Sequence, residues 1–258
     1  MYQAIAYFNF ENFEEDPVTL IGQVVNQWRY NGQIIGREFG VTYHQDHFQV
    51  RLSLPEQESL LPKWNSEMVN EALQQAVEFG VIFTGFEIIG QDYQADESSQ
   101  EEKHPFLILY TTHLDSCSPL RSAGDFKPLP SYRLLHTEYD LSEQLIKWQE
   151  DWQACDQLQM NGLVLEQQAV SQISEVDSEL SIRGRALAKE IAQKTSIPVF
   201  YYLYRLGTDE AKEQNRTCPS CGGNWKLATP LHDIFYFKCD QCRLISNLSW
   251  EILNFSTV

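Results

Sequence analysis

The sequence predicts an α+β fold in three parts, and three observations carry that reading. The first ninety residues alternate strand and helix signals in the order strand, helix, strand, strand, helix, strand. Residues 106–204 mix short apolar runs with longer segments of helical period. The chain then closes on two Cys-x-x-Cys pairs, Cys218/Cys221 and Cys239/Cys242, with seventeen residues between them.

The elements follow in order. Residues 2–10 are apolar and aromatic and read as a strand. Asp16 caps a helix that Pro17 opens, because proline lacks the N–H a first helical turn cannot use. Leu20, Ile21, Val24, Val25 and Trp28 share one face of it, and Asn31-Gly32 ends it. Gln33 to Thr42 reads as a second strand. His47 to Leu54 alternates, placing Phe48, Val50, Leu52 and Leu54 on one side. Pro62 and Ser66 precede a helix with Val69, Leu73, Ala76 and Val77 inward and Gly80 as its stop; Val81 to Ile89 is the fourth strand. This is the split βαββαβ order of ferredoxin-like domains, a name for a topology that implies no iron–sulfur centre and no particular function.

Residues 91–105 are polar and acidic, with Asp96, Glu97, Glu101 and Glu102, and read as a solvated linker. The middle segment, 106–204, is mixed α/β. It opens with a strand from Phe106 to Thr112, followed by a second around Ser131 to Leu135. A helix from Ser142 to Leu158 carries Ile146, Trp148 and Trp152. A helical stretch follows Asn161-Gly162, Ser181 to Lys194 is helical, and Pro198 to Tyr204 is an aromatic strand. Residues 205–258 form the last part. Its strands are expected from His232 to Lys238 and from Leu244 to Leu253, the latter bearing Trp250.

The cysteine spacing predicts a zinc ribbon. Two Cys-x-x-Cys knuckles separated by a loop of fifteen to twenty residues converge on one tetrahedral ion. A four-thiolate site is closed, so one zinc would be structural and not catalytic. Two disulfides, a redox Cys-x-x-Cys and an iron centre are the alternatives, and ligand type and spacing favour zinc. Pro219 stiffens the first turn, and Gly222 and Gly223 offer positive φ. Trp225 is placed to lid a core too small to stand alone. His232 is a fifth candidate ligand, but a solvated loop histidine is expected there.

The N-terminus, Met-Tyr-Gln-Ala-Ile-Ala-Tyr-Phe, has no basic segment before an apolar core, which predicts a cytoplasmic protein. No run of eighteen apolar residues predicts a membrane span. The net charge is −17, which opposes sequence-blind attachment to phosphate polymers. That excess sits in residues 1–204, with 13 basic against 30 acidic residues; from Arg205 onward six of each balance. The ribbon is thus the least repulsive surface for nucleic acid, though not a basic patch. Trp225, Lys226, Lys238 and Arg243 are the candidate contacts to nucleic acid or a protein partner.

No catalytic residue is expected. His113, Cys117 and Cys155 suggest a Cys–His nucleophile, but nothing in the sequence orients the histidine, and isolated cysteines usually pack as small apolar residues. Ser118 and Ser131 lack a Gly-x-Ser-x-Gly setting. Arg183-Gly184-Arg185 at a helix start can hold an anion, although pairing with Glu175, Asp177 or Glu179 is favoured. The Phe200–Tyr204 aromatics are expected to pack, not to stack bases. No phosphate loop or dinucleotide fingerprint occurs, and no small-molecule substrate is identified.

Ser118-Pro-Leu120, Leu180-Ser-Ile-Arg-Gly-Arg-Ala-Leu187, Pro198-Val-Phe-Tyr-Tyr-Leu-Tyr-Arg205, Cys218-Pro-Ser-Cys-Gly-Gly-Asn-Trp225 and Phe237-Lys-Cys-Asp-Gln-Cys-Arg-Leu244 together resemble an uncharacterised family of gammaproteobacterial proteins. That family is described as zinc-ribbon-containing, with nucleic-acid binding suggested for it. The resemblance covers most of the chain and is most specific in the C-terminal third. It implies zinc on Cys218, Cys221, Cys239 and Cys242. The expected function is therefore a non-enzymatic zinc-ribbon binding protein, with nucleic acid as its ligand or, alternatively, a protein-interaction adaptor with an acidic body.

Overall fold

The computed structural model describes residues 1–11, 16–249 and 252. It is a mixed α+β protein with two sheets, and its chain divides into two compact units. The first comprises residues 1–100, 116–120 and 127–146; the second comprises 101–115, 121–126 and 147–258. Trp250 and Leu253 lie outside the described residues. No helix among the described residues is long and apolar enough to cross a membrane.

The first unit is built on a sheet of four strands in the order β2-β3-β1-β4, with antiparallel neighbours throughout. These are β1 (Tyr2–Phe10), β2 (Val41–His44), β3 (His47–Leu54) and β4 (Val81–Gln91). Helix α1 (Pro17–Asn31) follows β1, and α2 (Glu67–Glu78) precedes β4. The α1 signals act as expected. Asp16 accepts the Val18 N–H, and Gly32 ends the helix at φ 81°. The alternation of β3 buries Phe48, Val50, Leu52 and Leu54. They meet Leu20, Ile21, Val24, Val25 and Trp28 in one core. Trp28 packs edge-on against Phe83 at 4.9 Å between ring centroids, an arrangement that suits the ring quadrupoles. Gly85 takes φ 138° where the β1–β4 register slips between Tyr7 and Phe8, a backbone region open to glycine.

Three expectations for this unit fail. The second strand does not run from Gln33 to Thr42; it starts at Val41, and only Ile35 forms an isolated bridge, to Ser53. Gly36, at φ 131°, breaks the run between them. Val77 does not face inward and is 54% exposed, because it stands about 100° around α2 from the buried Ala76. Residues 131–135 are not a strand but helix α3 (Ser131–Leu135). Pro130 sets the entry, and Ser131, Tyr132 and Leu135 are the buried positions, the i, i+1, i+4 set that one helical turn brings together. The Ser131 hydroxyl donates to the Asn31 carbonyl at 3.2 Å. The Tyr132 hydroxyl donates to Glu56 at 2.6 Å, beside the Arg133–Glu56 ion pair. In the acidic stretch, Asp96, Glu97 and Glu102 are exposed, but Ser98 and Ser99 are buried. The Ser98 hydroxyl donates to the Pro55 carbonyl and the Ser99 N–H to the Pro128 carbonyl.

The second unit carries a sheet in the order β6-β5-β7-β10-β9-β8. Its strands are β5 (Leu107–Leu109), β6 (Leu120–Ser122, whose first residue belongs to the first unit), β7 (Val199–Leu203), β8 (Lys226–Leu231), β9 (Phe235–Cys239) and β10 (Leu244–Asn247). β5 and β10 both run parallel to β7, while β9 is antiparallel to β10 and to β8. Both β5 and β7 are buried at every residue, the continuous apolar run expected of a parallel strand covered on both faces. The aromatics of β7 are thus packing residues. Pro230 lies inside β8, at the end of the sheet, where a missing N–H costs no ladder bond.

Helix α4 (Tyr139–Asn161) contributes residues to each unit, and α5 (Glu166–Ser174) and α6 (Glu179–Thr195) belong to the second. The Trp148/Trp152 pair is buried, with Trp148 edge-on to Tyr201 at 5.9 Å and its indole N–H donated to the Leu180 carbonyl at 3.3 Å. Gly184 of α6 sits against them. A Cβ there would lie 2.6 Å from Trp148 Nε1 and closer still to the Tyr201 ring. Gly184→Ala should therefore lower stability by about 1–3 kcal/mol. Gly22→Ala in α1, where an added Cβ meets nothing within 4 Å, should raise it by about 0.5–1 kcal/mol. Thermal denaturation of the two variants checks the pair, and equal effects would contradict the packing described.

Candidate metal centre

Two loops and two strands bring the cysteines together. Cys218 and Cys221 form a tight turn: the Cys218 N–H donates to the Gly223 carbonyl at 2.9 Å and the Gly222 N–H to the Cys218 carbonyl at 2.8 Å. Gly222 has φ 71°, a left-handed value glycine adopts without cost. Gly223 is not at positive φ; its missing side chain makes room instead, since a Cβ there would stand 3.4 Å from Cys221 Sγ. Cys239 is the last residue of β9, and the Cys242 N–H points at its sulfur at 3.4 Å. Arg243, at φ 54°, turns the chain into β10.

All four Sγ atoms lie within 4.8 Å of one another, and no other histidine, cysteine or carboxylate joins them among the described residues. Cys221 and Cys239 Sγ are 3.7 Å apart. A tetrahedral ion with metal–sulfur bonds of about 2.3 Å needs sulfurs about 3.8 Å apart. The donor set and spacing fit such an ion, so the cluster can hold a metal. Cys218 and Cys239 are buried and Cys221 is exposed. Burial pushes the thiols of Cys218 and Cys239 up. The Gly223 N–H, with Cys242 beside it, brings Cys221 down to about 7.

A buried charge cluster packs against Trp225 and Phe237. Helix α7 (Glu210–Gln214), capped by Asp209, presents Glu213, which is 1% exposed. Arg205 donates to it at 2.6 Å through Nε, and Arg216 lies 3.5 Å away. The Arg216 guanidinium also covers the Phe237 ring at 4.1 Å and the Trp225 ring at 5.1 Å, and donates to the Asn247 carbonyl at 2.8 Å. Burial pushes Arg216 down to about 10, against the pull of Glu213. Neither β8 nor this triad is announced by local sequence pattern; the available signals are the Asp209 cap of α7 and the three acids, Asp209, Glu210 and Glu213, that lie between Arg205 and Arg216.

The candidate contact residues fare differently. Trp225 is 2% exposed, packs on Phe237 at 5.4 Å and donates its indole N–H to the Arg216 carbonyl. It offers no face to a ligand, which corrects its assignment as a contact. Lys226 and Arg243 are exposed. Lys238 is half-buried, paired with Asp240 and lying 4.4 Å over the Phe200 ring. His232 is neither a ligand nor a solvated loop residue: it bonds the Ala123 carbonyl at 2.8 Å and stacks on Phe126.

The other sequence candidates are held in structural roles. The backbone N–H of His113 donates to Asp156 at 2.8 Å, and its ring lies 3.2 Å from the same oxygen. Burial and the carboxylates of Asp151 and Asp156 push the Cys155 thiol up, which disfavours the nucleophilic thiolate. Cys117 is buried. Arg183 pairs with Asp151, not with the acids at 175–179, and Arg185 donates to the Val176 carbonyl.

Fold and site define a two-sheet α+β protein with a four-cysteine cluster able to hold a metal ion. Three family models match the chain in succession, each described as a domain of unknown function: DUF8589 over residues 1–90, DUF2310 over 101–204 and DUF8594 over 207–252. An "Uncharacterized protein" of Haemophilus influenzae is 50% identical over 261 residues, covering 98% of this chain and 100% of its own. A second "Uncharacterized protein" of that organism is 50% identical over 201 residues, covering 78% of this chain and 95% of its own. No solved structure matches. The chain belongs to the family of these Haemophilus proteins.

Glu213→Ala should cost about 3–5 kcal/mol, because it leaves two arginines without their buried counter-charge. Chemical denaturation followed at the tryptophans checks this. A loss below about 1 kcal/mol would assign the triad to the solvated surface.

Proposed function

We propose that the four cysteines hold one zinc ion as the structural centre of a zinc ribbon, in a non-enzymatic protein whose ribbon serves recognition. Closure of the sulfur cluster carries this reading: four thiols converge with no fifth donor among the described residues. A divalent ion there would have no open position for water or substrate. Cys218, Cys221, Cys239 and Cys242 would be its ligands, and the ion would supply cohesion to the three strands around it. No disulfide joins any of the six cysteines, which suits the reducing cytoplasm. The first unit is read as ferredoxin-like, supported by the β2-β3-β1-β4 order with antiparallel neighbours and two helices. Elemental analysis of purified protein should find one zinc per chain. Cys218→Ser should reduce that content and lower the stability of the second unit. Stoichiometric iron, or no metal at all, would overturn the assignment.

Nucleic acid is the ligand class we assign to the ribbon, through Lys226, Lys238 and Arg243. Exposure of Lys226 and Arg243 and the neutral balance of the tail in an acidic chain support it. Retardation of a single-stranded oligonucleotide should be visible at low salt and fall steeply as salt rises. Changing Lys226, Lys238 and Arg243 together to Glu should abolish it. Retardation that persists in the triple variant would exclude this face.

One observation favours an adaptor as the second reading. Leu163, Val164 and Leu165, between α4 and α5, are 86%, 63% and 61% exposed, and adjoining exposed apolar residues suit a protein contact. Partners that survive nuclease treatment in an affinity purification, with no oligonucleotide retardation, would decide for it.

A further inference from the structure

An open cleft of about 510 Å³ lies in the second unit beside the metal centre, between α6, the start of β7 and the Cys239–Cys242 loop. Its helical wall is one stripe of α6, in which Arg185, Lys189 and Gln193 follow each other at four-residue spacing. Ala188 and Ala192 lie on the same stripe. Their short side chains leave the space that larger residues would fill. Gln241 and Arg243 line the opposite side.

The charge of this cleft runs against the rest of the chain. The sequence holds 36 acidic and 19 basic residues, yet the lining has three cations and no carboxylate. None of the three cations has an ion-pair partner among the described residues. Arg185 gives one hydrogen bond, to the Val176 carbonyl, and Arg243 lies 5.2 Å over the Phe200 ring. Arg243 adjoins Cys242 and can answer the negative charge of metal-bound sulfur. Arg185 and Lys189 come from another element; Arg185 is half-buried and Lys189 is exposed.

We propose that this cleft binds an organic phosphate of mononucleotide size. The volume falls in the range of small-ligand sites and is far larger than inorganic phosphate requires. A phosphate monoester carries about −1.5 to −2 charges near pH 7, which matches a pair of unneutralised cations better than one carboxylate does. The negative end of the α6 dipole lies toward Thr195, so the phosphate belongs at the Arg185–Lys189 end. The organic body then lies over Ala188, Ala192 and Pro198. The amides of Gln193 and Gln241 supply both donors and acceptors for a heterocycle edge.

This inference stands apart from the nucleic-acid reading of the ribbon, and its test uses residues of α6 that the ribbon face does not include. The full-length, metal-loaded protein is titrated calorimetrically with AMP, GMP, CMP and UMP up to about 5 mM. Adenosine, guanosine and inorganic phosphate serve as comparisons. At least one monophosphate should bind below about 1 mM and at least tenfold more tightly than inorganic phosphate or either nucleoside. Lys189→Ala should weaken it about tenfold, and Ala192→Phe should abolish it by filling the cleft. Both variants should keep the circular dichroism and metal content of the parent. Absence of binding by all four monophosphates would overturn the proposal. So would phosphate binding as tightly as the nucleotides, or affinity unchanged in both variants.

Discussion

Four sulfur atoms packed within 4.8 Å of each other are a constraint that the rest of the second unit must satisfy. Two come from a glycine-rich turn, one from the end of β9 and one from the turn that joins β9 to β10. Cys239 ends β9, and Cys242 lies two residues before β10. β10 in turn pairs in parallel with β7, the buried centre of the sheet. Position of the sulfurs and register of the strands are therefore one problem. As thiolates the four would repel each other, so the arrangement calls for a cation at its centre. The cysteine module is not a knob tethered to a separate body, because its strands extend a sheet begun at β5.

Local chemistry made part of this legible. Asp16, Pro17 and Gly32 bound α1 because each acts on its own turn of backbone. Residues 47–54 show a strand because one face of it meets the core. The metal cluster was readable because knuckle spacing is itself a geometric statement. Short segments resisted for a physical reason: Ser131 to Leu135 spans too few residues to separate a period of two from one of 3.6. Ile34 and Ile35 have strand-forming side chains, but Gly36 bends the chain before a ladder forms. β8 was hidden by Pro230, which argues against a strand except at an edge.

Nonlocal facts were not legible at all. The parallel union of β7 and β10 joins residues more than forty positions apart. The burial of Glu213 between Arg205 and Arg216 depends on how α7 docks, and its charge reads in sequence like any surface acid. Trp225 shows the same limit. Its type suits either a lid or a stacking platform, and only packing against Phe237 and Arg216 chooses the lid. Charge distribution repeats the lesson. A strongly acidic total conceals a cleft lined by three basic residues and no acidic one, because composition averages over surfaces that never meet.

The proline at the end of the second sheet has an architectural effect. Strand β8 terminates the order β6-β5-β7-β10-β9-β8, and Pro230 withholds a donor from whatever might approach that border. Its pairing with β9 is also interrupted between Lys226 and Leu231. A second copy of the chain laid alongside would find a broken row of partners. Lateral growth into ribbons of many molecules is thus discouraged at the place where an unfinished sheet most invites it.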